Sequence, residues 1–164
     1  MLQPYMNKTI VKSEIANTPD NWEKTSFSSD DMWQAFQRGE QYQINKQEQE
    51  FNEILTKNLN RAAFLSEGIF HTAINDYHVG IQKAYLKAET LENFDVLFLV
   101  NLDDFMSEKI KDIYKRSHLV KSEFNGADFH ISFKFMPLSD SLNLDCISSD
   151  GYMLEYGKGK QRQA

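Results

Sequence analysis

Two stretches decide the fold: Phe94-Asp95-Val96-Leu97-Phe98-Leu99-Val100 and Phe129-His130-Ile131-Ser132-Phe133-Lys134-Phe135-Met136-Pro137. In the first, a buried helix turn could show the apolar run Val96 to Val100, but the flanks, Asn93 before it and Asn101 with Asp103-Asp104 after it, argue for a strand. The run's branched and aromatic side chains predict a strand covered on both faces. In the second, Phe129, Ile131, Phe133 and Phe135 alternate with His130, Ser132 and Lys134. A period of two predicts a strand with one packed face and one wetter face. Pro137 has no N–H to give to a ladder, so the strand is expected to stop there.

Between these strands the apolar period changes. Met106, Ile110, Ile113, Ser117, Val120 and Phe124 recur at steps of three and four, the spacing of one helix face. Asp103 and Asp104 stand where a helix would begin, and carboxylates suit the free N–H groups and positive dipole end there. Lys109, Lys111, Lys115, Arg116 and Lys121 crowd the later turns. Asn125-Gly126 is expected to end the helix in a left-handed cap. After Pro137, Leu144 to Ile147 and Tyr152 to Tyr156 flank Asp150-Gly151, a dipeptide that favours a hairpin turn. Residues 94–157 therefore read as a strand–helix–strand–hairpin unit, with residues 158–164 a frayed basic tail.

The first half is helical in pattern. Residues 1–27 read as an irregular arm holding one short strand at Thr9-Ile10-Val11 and a turn at Thr18-Pro19-Asp20-Asn21. Residues 28–92 read as helical. A short helix starts after Ser28-Ser29-Asp30-Asp31 and ends at Gly39. A longer one runs from Lys46 past Leu59. A third covers Ala63 to Leu91, where Ala63, Phe70, Ala73, Ile74, Tyr77, Ile81, Ala84 and Ala88 share a face. Gly68 and Gly80 weaken it, each costing on the order of 1 kcal/mol against Ala. The expected architecture is α+β in one domain, residues 1–164. A helical N-terminal half packs on a small, mostly antiparallel sheet of three or four strands.

Composition narrows the function. The chain has 164 residues and a net charge of −6. Such acidity disfavours nonspecific nucleic-acid binding, which needs clustered Lys and Arg. The single cysteine, Cys146, permits no internal disulfide and reads as a small core residue. No stretch is apolar enough to span a bilayer and the first residues lack a signal-peptide core, so a cytoplasmic location is the expectation.

Two polar patterns carry chemistry. Glu67, His71, Asn75 and His78 fall within about 80° on a continuous helix. A carboxylate and two imidazoles can ligate a divalent transition metal. His71 and His78 are two turns apart, about 10.5 Å, so Glu67 with His71 is the better pair. Asp103 and Asp104 follow a buried strand, a common place for catalytic carboxylates in open sheets, and also the place of a helix cap. Nucleotide, hydrolase, zincin and redox signatures are absent from the sequence, so no cofactor is expected beyond that divalent metal. The leading expectation is a non-enzymatic protein-binding or regulatory module. Its aromatic content of 13% and its acidity suit a basic partner, and self-association is compatible with both. The competing expectation is a small metal-assisted enzyme using Glu67, His71 and Asp103 or Asp104.

Overall fold

The computed structural model describes residues 19–24 and 44–157. The strand at residues 9–11, the helix starting at residue 28 and the tail at residues 158–164 lie outside these. In chain order the elements are β1 (Glu23–Lys24), α1 (Ile44–Asn75), β2 (Ile81–Ala88) and β3 (Asn93–Asn101), then α2 (Leu102–Phe105), α3 (Lys109–Phe124), β4 (His130–Leu138), α4 (Leu144–Ser149) and β5 (Leu154–Gly157). The strands form one sheet in the order β1-β5-β2-β3-β4. Every neighbouring pair is antiparallel except β3 and β4, which run parallel with α2 and α3 as their crossover. The α+β class holds, with four strands of real length and a two-residue fifth.

Strand β3 lies between β2 and β4, which is why it is apolar on both sides. Phe94, Val96, Phe98 and Val100 face the helices, where they join Leu59, Ala62, Phe70, Ala73, Ile113 and Val120 in the main core. Leu97 and Leu99 face the other way and pack with Tyr85, Ile147 and Tyr152. Across the parallel pair the phenylalanines stack, Phe94 on Phe129 at 5.7 Å and Phe98 on Phe135 at 5.1 Å between centroids. Asn58, buried on α1, ties the helix to the sheet's connections: its Nδ2 donates to the Leu91 carbonyl at 2.8 Å and to that of Asp128 at 3.2 Å.

Several expectations change. The helix expected from Ala63 to Leu91 ends at Asn75, and residues 81–88 are strand β2. A register shift between Ile81 and Lys83 places Ile81 and Ala84, three residues apart, in the helix-facing core. That bulge imitates helical spacing. Upstream, α1 is a single 32-residue helix that passes through Gly68 without a break. Gly80 serves close approach instead: a Cβ there would stand 2.1 Å from Asn101 Nδ2.

The expected hairpin is the second change. Leu144–Ser149 is a helix, because the Asn143 side chain accepts from the Asp145 N–H at 2.9 Å and caps it. Gly151 does turn the chain, with φ at +97°, but β5 pairs with β2 and β1. Third, the helix expected from about residue 104 is broken at residues 106–108. The Ser107 hydroxyl donates to the Asp104 carbonyl at 2.7 Å, and Met106 turns out to solvent at 76% exposure. Fourth, Asn125 ends α3 in extended backbone, with φ −72° and ψ 133°, not in a left-handed cap.

Candidate functional site

The polar stripe on α1 is taken apart by the helix end. Glu67 and His71 remain on α1, while His78 sits beyond it in a turn at φ 54°. Both α1 groups meet the aromatic corner that joins the first and last strands. Trp22 Nε1 donates to Glu67 Oε1 at 2.9 Å, and His71 Nε2 lies 2.6 Å from the Tyr156 hydroxyl. Trp22 and Phe70 hold the Tyr156 ring at centroid distances of 5.4 and 5.0 Å. Burial pushes the Glu67 carboxyl above its usual range, against the Trp22 hydrogen bond and the nearby His71; Asp20 adds to the rise.

Asp103 and Asp104 occupy the first turn of α2, as expected of acids at a helix start. The cap residue is Asn101, whose side chain makes no capping bond. Asp104 does other work: its Oδ2 accepts the Gly80 N–H at 2.8 Å, closing the turn into β2. Gln82 Nε2 donates to Asn101 Oδ1 at 2.8 Å beside it. Glu67, His71 and the Asp103-Asp104 pair are thus engaged in separate places. Among the described residues, no group of three or more His, Cys, Asp or Glu side chains could hold a metal ion. Cys146 is exposed on α4 and is not the small core residue expected of it.

A polar network absent from the sequence reading lies on the sheet face away from α1. Asp95 accepts from the Ser132 hydroxyl and from Lys134 Nζ, the latter at 3.2 Å. Burial works to raise the Asp95 carboxyl, but hydrogen bonding with Ser132, Glu89 and Lys134, and the Lys134 charge, bring it below the usual carboxylate range. Asp95 is the one charged residue inside an otherwise apolar strand, and that was the available signal. Lys134, drawn upward by Asp95, is held as a cation, so the Ser132–Lys134 neighbourhood offers no free amine base.

The remaining feature is the outer edge of β4, the last strand of the sheet. The Asn125 side-chain amide binds the Ile131 backbone at two points. Its Oδ1 accepts the Ile131 N–H at 2.8 Å and its Nδ2 donates to the Ile131 carbonyl at 3.1 Å. On the opposite side, the His130 N–H reaches inward to the Glu92 carbonyl at 2.6 Å. Backbone groups alternate along a strand, so even-numbered residues of β4 bond to β3 and odd-numbered ones point outward. Ile131 is occupied by Asn125. The strand does not stop at Pro137 as expected but runs on to Leu138, because the position where Pro137 lacks an N–H faces outward and costs the ladder no bond. Between Ile131 and Pro137 the N–H and C=O groups of Phe133 and Phe135 face outward, with no partner shown among the described residues. Tyr114 on α3 overhangs this stretch, its ring 5.0 Å from that of Phe135 and 44% exposed.

No helix among the described residues is long and apolar enough to cross a membrane. No protein-family model matches the chain, and no curated protein or solved structure shows significant similarity to it, so its site must be argued from its own residues.

Proposed function

We propose that the protein is a non-enzymatic binding module that docks a partner protein by adding a strand to the outer edge of β4. The observation that carries this reading is the Phe133–Phe135 window, bounded by the Asn125 amide at one end and Pro137 at the other. Exposed backbone donors and acceptors on a sheet edge are a template for another strand. The Asn125 amide occupies the edge as a peptide group would. The exposed Tyr114 ring, 5.0 Å from that of Phe135, gives such a strand a contact beyond its backbone. Soluble proteins commonly protect long edges with charge or proline, and here Lys134 and Pro137 limit pairing to a short window.

A photoreactive side chain at Tyr114, introduced in the native cell, tests the reading. The expected result is a covalent adduct to one partner protein at position 114 and none at exposed Leu144, which lies on α4. Adducts equal at both positions, or found only around the Trp22–Glu67–His71 corner, would sink it.

A further inference from the structure

Resting on the reading of β4 as a docking edge, we infer that the occupant is an extended, acidic segment of a partner protein. The charge on the helix flank above the window has the opposite sign to the charge of the chain. Tyr114 marks the flank of α3 that overhangs the edge. At 100° per residue, Lys111, His118 and Lys121 lie within about 60° of it on the helix. No carboxylate of α3 shares that flank: Asp112 and Glu123 lie on the opposite side by the same rotation. Glu108 pairs with Lys111 at 2.5 Å, with both groups well exposed. Among the described residues, neither His118 nor Lys121 forms an ion pair.

The other side of the window carries no positive excess, because Lys134 is paired there with Asp95 and Glu89 lies in the same network. His130 and Lys134 stand on the face of β4 away from the helices, and Lys134 keeps 58% of its side chain exposed while pairing with Asp95. A docked strand turns alternate side chains to the two faces. One set would lie beside Lys111 and Lys121 on the flank of α3, the other over the paired Lys134 and Asp95. Acidic side chains on the first set therefore meet cations.

Range decides between this local charge and the chain's net charge of −6. Screening cuts interactions between exposed charges off within about 8 Å at physiological salt. A strand at the edge responds to the cations beside it, not to the sum over the molecule. The window is also short: from Phe133 to Pro137 is about 13 Å at 3.3 Å per residue, which fits five or six residues of a partner.

The test pans a randomised heptapeptide library against the full chain and against a Lys111→Glu/Lys121→Glu variant, whose altered side chains lie outside the core. Amide hydrogen exchange at Phe133 and Phe135 reports where the selected peptides sit. The inference expects selected peptides rich in Asp and Glu, slowed exchange at both amides, and binding weakened roughly tenfold or more in the variant. Basic or charge-indifferent peptides that still slow Phe133 and Phe135 would overturn the acidic occupant and leave edge docking standing. Failure of any peptide to slow them would overturn both. Binding of an oligouridylate RNA, lost in the variant without any change at the two amides, would assign the basic flank to nucleic acid and overturn the inference. Slowing at both amides without peptide, increasing with protein concentration, would make the occupant a second copy and overturn it too.

Discussion

The two edges of the sheet are finished in opposite ways. At one end, among the described residues, β1 is only two residues long, and the segment leading into it is tied to α1 and β5 by a side chain: Trp22 is buried, its N–H goes to Glu67, and its ring packs on Tyr156. At the other, β4 runs for nine residues, and its outward backbone groups are met by side-chain amide at Ile131 alone among the described residues. A short, capped edge is how folded proteins avoid unwanted pairing. A long edge left open over a defined window, beneath a basic helix flank, is what the proposed docking at β4 rests on.

The strongest way to break this comparison is Trp22→Ala. If Trp22 closes its edge as a core residue does, the substitution costs about 3–5 kcal/mol, read from the denaturant midpoint. A loss below about 1 kcal/mol would make the β1 edge as loosely finished as the β4 edge. Gly80→Ala comes next, because the new Cβ meets Asn101 and Asp104 where both edges' inner strands are anchored. A cost of about 1–3 kcal/mol is expected from that overpacking, again by denaturation. Asn125→Ala sharpens the comparison directly. It strips the amide from Ile131, with an expected cost of about 1 kcal/mol, and lengthens the open window by one residue pair. Amide exchange at Ile131 should rise while that at Ser132 stays slow.

The smallest expected effect is at Glu67. Its carboxyl is raised in the folded protein, so the fold binds more protons than the unfolded chain near the usual carboxylate range. The stability linked to Glu67 is thus fully present below its unfolded value and is lost as pH rises through the folded one. Glu67→Gln keeps an oxygen for the Trp22 N–H and removes the buried charge. The variant should lose the part of the stability decline that wild type shows above pH 4.5, the ordinary value for this group. An unchanged pH slope would count against this account of the corner.

Legibility in the sequence followed local rules. β3 is legible from its unbroken apolar run, and β4 and the core face of α3 from the one period that governs each; Ile110, Ile113, Ser117 and Val120 are buried as their spacing requires. β2 is not, because it carries a bulge that sets Ile81 and Ala84 on one side. A helical stripe and a bulged two-faced strand look alike in one dimension. The hairpin reading of residues 144–156 failed for a related reason. Asp150-Gly151 was recognised as a turn, but Asn143 and Asp145 had already committed the preceding residues to a helix. The docking edge was half visible: Pro137 in an aromatic strand is the mark of an edge. Asn125 was read as a helix cap, and its second role, holding Ile131 six residues on, depends on the return of the chain after α3.

The most direct test of the central claim is residue-by-residue amide exchange along β4 in the unliganded protein. The account predicts that Phe133 and Phe135 exchange at least ~100-fold faster than Lys134 and Met136, whose N–H groups bond to β3. Uniform protection across all four residues would mean that the outer edge is already closed, and would contradict the account.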